Sequence, residues 1–349
     1  MKILFGVFDW GLGHATRDTP LIEELLKNKN EIHIISTGKA LKILRNHFKN
    51  KCIYHDVPSV YQTYNNKCTK FEVALNSLKL LKSLKKAREF SEEIIKKGNF
   101  DKVISDCRYD VYDRVDNSYL LNHQLRFKAP GVERILELWL AKRMKKYKYV
   151  IVPDYEDNNL SGYLSHNLRF IPKNKIKYIG ILSHIKEKKK KKDIDYFISL
   201  SGPDKTRIEL EKKILNQIKN LNGKIVIATG NPDILNKTSS KNLTLYSYLG
   251  SKKQEEMMNR AKFIIIRAGY TTIMELVELN KNALLIPSPG QPEQEYLVRY
   301  LKREGYFYYI NQYNLNILND IKKAKEFRGC RPLWKTKESV KKFMELLMQ

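Results

Sequence analysis

Short runs dense in Ile, Leu, Val and Phe alternate along the chain with longer stretches whose apolar residues recur every three or four positions. Residues 2–8 form the first such run and predict a buried strand. Residues 19–27 follow with Leu21, Ile22, Leu25 and Leu26 at helical spacing, and 31–36 read as the next strand. Further strands are predicted at 102–105 and 149–152, each ending near an aspartate. Two long, basic helices are predicted at 71–97 and 132–146. A second series has strands at 196–200, 224–228, 263–266 and 283–286, with helices at 210–218 and 272–279. A last helix near 338–347 follows Pro332 and Trp334.

This β-α-β rhythm implies parallel sheets covered by helices. The two series are separated by Glu187 to Asp193, which reads EKKKKKD and reads as a solvated linker. The expected fold is α/β, with two doubly wound Rossmann-like domains facing a cleft. The expected divisions are 1–185, a lysine-rich linker 186–194, a second domain 195–330 and a C-terminal helix 331–349. Ligands of such sheets sit at the carboxyl ends of the strands, so the cleft is the expected site.

Composition narrows the class. The 349 residues are 42% hydrophobic, which argues against disorder, and carry a formal charge of +27. That charge suggests an anionic partner: nucleic acid, an anionic membrane or a phosphorylated substrate. Lysine far outnumbers arginine, so much of the charge reads as surface solvation. No run approaches the ~20 apolar residues of a spanning helix, and the N-terminus reads as a strand and not a signal peptide. Cys52, Cys68, Cys107 and Cys330 form no CxxC pair, and the histidines form no HExxH, so no metal set is expected and a reducing cytoplasm fits.

Three segments carry candidate chemistry. Gly11-Leu12-Gly13-His14-Ala15-Thr16-Arg17 falls between the first strand and a helix. Its glycines allow close approach of a ligand, the helix start favours an anion, and His14 can donate or act as a base. It lacks the third glycine of a Rossmann fingerprint and the GKS/GKT of a Walker loop. Arg267-Ala268-Gly269-Tyr270-Thr271-Thr272 opens a helix after a strand, with Glu275 six residues beyond Gly269. A carboxylate there can accept from two vicinal hydroxyls; taken alone it reads as a solvated helix-face charge. Pro287-Ser288-Pro289-Gly290-Gln291-Pro292 ends in Glu293-Gln294, a carboxylate and an amide suited to a polyhydroxyl ligand.

The order and spacing of these segments resemble the GT-B nucleotide-sugar glycosyltransferases, specifically the family-28 group with its MurG-type UDP-N-acetylglucosamine transferases. The GLGHxxR form is similar to an archaeal-type subgroup. The resemblance implies that Gly11, Gly13 and His14 match the N-terminal glycine loop, and that Glu275 binds the ribose of UDP. It implies that Glu293 and Gln294 bind the sugar, that Tyr248 and Leu249 frame the base, and that Ser201 and Gly202 form the phosphate loop. Asn122-His123-Gln124 resembles the segment lining the acceptor side. Bacterial relatives have a denser first glycine run, and Leu297-Val298 stand where Asn-Ala is common.

The function so implied is sugar transfer from a UDP-sugar to a hydroxyl acceptor, a lipid-linked one included. The N-terminal domain would bind acceptor and the C-terminal domain donor. Arg267, Gly269 and Thr271 at a helix start, with Ser201 and Gly202, would hold the diphosphate without metal or cofactor. Asp193-Ile194-Asp195 has the letters of a metal motif but precedes a strand. His14 is the first candidate base, with Asp106 and His123 as alternatives. In the basic helices, Leu75, Leu78, Leu81 and Leu84 alternate with Lys79, Lys82, Lys85 and Lys86. Leu136, Trp139 and Leu140 stand against Arg143, Lys145, Lys146 and Lys148. Core packing and an anionic membrane surface both fit them, so the expected location is cytoplasmic, with a peripheral site at the inner face of the membrane as an extension. A UDP-N-acetylglucosamine 2-epimerase of the same fold is the alternative; a nucleic-acid-binding protein rests on charge alone.

Overall fold

The computed structural model describes residues 1–60, 70–127, 131–231 and 236–349, with the side chains of 70–78 left aside. Leu75 and Leu78 thus lie outside the described side chains. The chain divides into two units, Met1–Leu182 with Leu333–Gln349, and Ser183–Pro332.

In the first unit, strands β1 Lys2–Val7, β2 Glu31–Ser36, β3 Ile53–Asp56, β4 Lys102–Asp106, β5 Ser118–Leu121, β6 Tyr149–Val152 and β7 Ile176–Tyr178 pair in the order β3-β2-β1-β4-β5-β6-β7, all parallel. Parallel strands are covered on both faces, which is why β1 is a nearly continuous apolar run and β2 is buried from Ile32 to Ser36. The helices are α1 Gly13–Lys27, α2 Gly38–Phe48, α3 Lys70–Gly98 and α4 Glu133–Met144. The sequence placed the start of α1 at residue 19. It starts at Gly13, so His14 stands in the first turn and Pro20 inside the helix, and the buried face carries Arg17, Asp18 and Thr19 besides Leu21, Ile22 and Leu25. The C-terminal helix Thr336–Met348 packs against α1. Ahead of it Trp334 Nε1 donates to the Ile179 carbonyl at 2.9 Å, and Tyr155 Oη donates to the Trp334 carbonyl at 2.6 Å. Gly180 permits this contact, since a Cβ there would lie 2.2 Å from Trp334 Nε1.

In the second unit, strands β8 Ile194–Ser199, β9 Ile225–Ala228, β10 Lys237–Ser239, β11 Leu243–Tyr246, β12 Ala261–Arg267, β13 Ala283–Ile286 and β14 Tyr308–Tyr309 pair in the order β10-β11-β9-β8-β12-β13-β14. Only the β10–β11 pairing, among those described, is antiparallel. The helices are α5 Asp204–Gln217, α6 Ser251–Arg260, α7 Tyr270–Glu278, α8 Pro292–Arg303 and α9 Ile317–Lys325. The core joins Ile198, Ile227, Ile265 and Leu284 of the strands to Leu210, Ile214 and Ile321 of the helices. The lysine run is tethered within this unit: the Lys188 N–H donates to Asn259 Oδ1 at 2.8 Å, and Lys192 Nζ to the Asn259 carbonyl at 2.5 Å. Asp193 pairs with Arg260 and Asp195 with Lys262, so both carboxylates of the Asp-Ile-Asp segment are held in surface ion pairs.

No helix among the described residues is long and apolar enough to cross a membrane. On α4, Leu140 is buried and Trp139 packs partly against the core under Arg143, at 4.1 Å from guanidinium carbon to ring centroid. Its exposed apolar residues are instead Val132 just before it, Ile135 and Leu138, at 46%, 68% and 43% exposure. On α3, Leu84 is buried and Leu81 exposed.

Candidate active site

The strand order of the first sheet reverses between β1 and β4, the position at which loops from neighbouring strands diverge and leave room for a ligand. Because β1, β4 and β5 are neighbours, the loop carrying Gly11, the Asp106-Cys107 turn and Asn122-His123 meet at one edge. Gly11 takes φ +74°, a turn that L side chains resist, and Gly13 begins α1. His14 is three residues before Arg17, so both side chains leave the same face of α1.

His14, Asp106 and His123 were three separate candidates in the sequence; here they are joined. His14 Nδ1 lies 2.7 Å from Asp106 Oδ2, and its ring stands edge-on to Phe8 at 5.1 Å. A carboxylate only accepts, so Nδ1 carries the proton and Nε2 the lone pair. The other Asp106 oxygen, Oδ1, accepts from Arg17, whose second terminal nitrogen donates to His123 Nδ1 at 2.8 Å. Asp106 is fully buried while the His14 side chain keeps 16% exposure. Burial alone would raise the Asp106 carboxyl, but Arg17 and His14 outweigh it and hold it well below the usual range. Burial lowers His14, with Arg17 adding to it against Asp106, so the imidazole stays neutral. Cys107, at φ +56°, is held as a thiol by burial and by Asp106. His14, Asp106 and Cys107 bring ligand-type atoms within 4.8 Å of one another, but the guanidinium on Asp106 and the protonated thiol suit the group to proton transfer and not to a cation.

In the second sheet the order reverses between β8 and β12. The loops after β8, β11, β12 and β13 carry Ser201-Gly202, Tyr248-Leu249, Arg267-Gly269 and Pro287-Gln294. Gly202 takes φ +100°, and a Cβ on it would lie 3.0 Å from Ser288 Oγ, a buried hydroxyl without a hydrogen-bond partner. Gly269 caps α7, where a Cβ would make only an ordinary contact, 3.9 Å from Thr272 Oγ1, and Thr271 is half-buried in the first turn. Tyr248 is half-buried and Leu249 buried.

Glu275 is no solvated helix-face charge. It is 3% exposed, Oε1 lies 3.4 Å from His184 Nδ1, and Oε2 has no hydrogen-bond partner. Burial pushes its carboxyl up to about 8. Arg267, expected among the donor ligands, is 1% exposed and turned inward: it donates to the carbonyls of Ser201, Pro287 and Thr206 and to Gln312 Oε1 at 2.8–3.2 Å. Its guanidinium ties the surrounding loops together. Gln294 likewise braces its own loop, accepting the Ser288 N–H at 2.9 Å and donating to Gln291 Oε1 at 2.5 Å. Glu293 is half-buried in the first turn of α8.

Residues 196–349 match the model of the glycosyltransferase family 28 C-terminal domain, and residues 1–125 that of glycosyl transferase family 1. The chain is a GT-B glycosyltransferase. Its fold is that of SnogD, a glycosyltransferase from Streptomyces nogalater (TM-score 0.64, 12% identity, 99% of each chain covered). It is also that of MurG from Acinetobacter baumannii (TM-score 0.57, 12% identity, 100% of this chain and 99% of that one). A UDP-glucosyltransferase from Polygonum tinctorium capable of glucosylating indoxyl shares it too (TM-score 0.61, 12% identity, 99% and 93%). No sequence among the curated proteins matches the chain. Within this glycosyltransferase, sequence reasoning passed over Asp18 and His184, named Cys107 only as a cysteine outside any CxxC pair, and treated Arg17 and Ser288 only as parts of motifs. One signal was available: Arg17-Asp18-Thr19 falls on the apolar side of the α1 helical pattern, where charged residues are costly to bury.

Proposed function

We propose that this glycosyltransferase moves a sugar, N-acetylglucosamine or another hexose, from a UDP-sugar to a hydroxyl acceptor. The observation that carries the reading is the His14–Asp106 pair at 2.7 Å, with the lone pair of His14 on Nε2 and its side chain still partly exposed. His14 takes the acceptor hydroxyl proton at Nε2. The acceptor oxygen bonds to the anomeric carbon, and the bond to the diphosphate breaks with its electron pair leaving on UDP. Asp106 holds the ring and stabilises the imidazolium that forms.

The donor half belongs to the second unit. Tyr248 and Leu249 frame the base, and Glu275 takes the ribose hydroxyls with the oxygen that no protein group occupies. The start of α7 at Gly269, with Thr271, Ser201 and Gly202, receives the diphosphate, and backbone N–H groups there meet its charge. Glu293 orients the sugar; Arg267 and Gln294 serve by holding the loops.

A lipid-linked acceptor at the inner face of the cell membrane fits the exposed Val132, Ile135 and Leu138 together with exposed Arg134, Lys142 and Lys145, an apolar strip edged by cations. A thermal-shift screen over nucleotide sugars tests the donor, with specific stabilisation by one UDP-sugar expected. His14→Ala should lose turnover and keep UDP binding; full activity in that variant would remove His14 from the mechanism. Incubation with UDP-sugar alone, followed by product analysis, separates transfer from epimerisation.

A further inference from the structure

We propose that Arg17 is a positioning residue, one guanidinium that holds Asp106 and His123 together and thereby sets the two histidines in opposite tautomers. The inference rests on the proposed role of His14 as base. Arg17 is 1% exposed and lies one turn along α1 from His14. One terminal nitrogen donates to Asp106 Oδ1 and stands 3.7 Å from Cys107 Sγ; the other donates to His123 Nδ1 at 2.8 Å. Its Nε has no hydrogen-bond partner and lies 4.0 Å from Oδ1 of Asp18, a fully buried carboxyl whose two oxygens also lack partners.

The chemistry follows from donor and acceptor capacity. A guanidinium only donates, so His123 must offer the lone pair of Nδ1 and keep its proton on Nε2. Asp106 accepts on both oxygens, so His14 must donate from Nδ1 and leave Nε2 bare. One ion pair therefore leaves His14 able to take a proton at Nε2 and His123 holding one there. The groups facing the guanidinium are His14, Asp106, Cys107, His123 and Asp18. Two of these are carboxyls, and the single cation is bonded to Asp106, which stays ionised; Asp18 is pushed well above its usual value by burial and then by Asp106. Without Arg17, Asp106 would have only His14 to balance its charge, and His14 would hold its proton more tightly.

The test uses the full chain. In the wild-type protein, ¹⁵N NMR of labelled histidine should show His14 protonated at Nδ1 and His123 at Nε2; the reverse tautomer at either residue overturns the proposal. Arg17→Met and Arg17→Lys are then compared for kcat/KM against pH, with folding checked by thermal melting. With Arg17→Met the acid limb should move to higher pH by about one unit, while KM for the donor changes less than twofold. Arg17→Lys, which restores a cation but reaches one partner at a time, should fall between. A folded Arg17→Met with an unmoved acid limb refutes the role, and where that variant does not fold the wild-type tautomers still decide. His14→Ala separates the two readings: full activity there sinks the base assignment, whereas an inactive His14→Ala beside an unmoved Arg17→Met profile sinks only the role of Arg17.

Discussion

Replacing Glu275 by Gln should make the free protein more stable and the donor complex weaker. The carboxyl is 3% exposed, and burial takes it from an ordinary 4.5 to about 8. The folded chain therefore holds a proton at neutral pH that the unfolded chain releases. A raised acid contributes its full stability below about 4.5 and loses it as pH climbs toward 8. At ~1.36 kcal/mol per tenfold difference in proton affinity, the loss by pH 7 is about 3 kcal/mol, an upper figure that relaxation around the site reduces. Glutamine has the shape of the protonated acid and does not titrate. The variant should therefore melt several degrees higher at pH 7 to 8, at ~2–4 °C per kcal/mol for a unit of this size, with the gap closing near pH 4.5. Titration calorimetry with UDP should show affinity about tenfold weaker, because the ribose hydroxyls draw Glu275 to its ionised form, a stronger acceptor that the amide cannot become, and binding to the wild type should release a proton. 2′-Deoxy-UDP should narrow the difference between the two proteins. A stability gap independent of pH would mean that the carboxyl is solvated, and unchanged UDP affinity would remove Glu275 from the ribose site.

Asp106→Asn keeps the shape but removes the charge that holds His14, so kcat should fall ~10²–10⁴-fold with UDP affinity intact, read by initial rates and calorimetry. Asp18→Asn replaces a buried acid whose pKa is raised; the wild type should lose stability relative to this variant as pH rises above about 4, seen as a widening difference in melting temperature. Ile135→Glu with Leu138→Glu places charge on the exposed strip of α4 and should cut co-sedimentation with phosphatidylglycerol vesicles by about tenfold while UDP binding stays the same.

Much of the architecture was readable because its signals are local. The buried strands at 31–36, 149–152 and 283–286 coincide with β2, β6 and β13, since parallel strands covered on both faces concentrate apolar residues: β6 and β13 are unbroken apolar runs, and β2 places Ile32, Ile34 and Ile35 in one short segment. The start of α1 was less legible: Gly11, Gly13 and Pro20 all argue against helix locally, and tertiary packing of the face bearing Arg17 overrides them. Strands β3, β5, β7, β10, β11 and β14 and helices α2, α6, α8 and α9 were not singled out. In α6 a mostly charged sequence has few apolar positions to mark a period. In α4 the sequence set Leu136, Trp139 and Leu140 on an apolar side that core packing and a membrane surface fitted equally; the fold buries Leu140, packs Trp139 partly against the core and leaves Ile135 and Leu138 in solvent.

By itself the sequence determined the class of fold and the segments where chemistry could reside, because periodicity, glycine placement and helix starts act over a few residues. Only the tertiary structure decided which of those residues work together. His14 lies about a hundred residues ahead of Asp106 and His123, and the three meet because β1, β4 and β5 are neighbours in the sheet. Arg267 ends β12 and Glu275 lies in the helix that follows, yet one has its guanidinium bonded to carbonyls and the other is left with an unpartnered oxygen. Hydrogen-bond satisfaction in the interior depends on neighbours distant in the chain, and no local pattern encodes it.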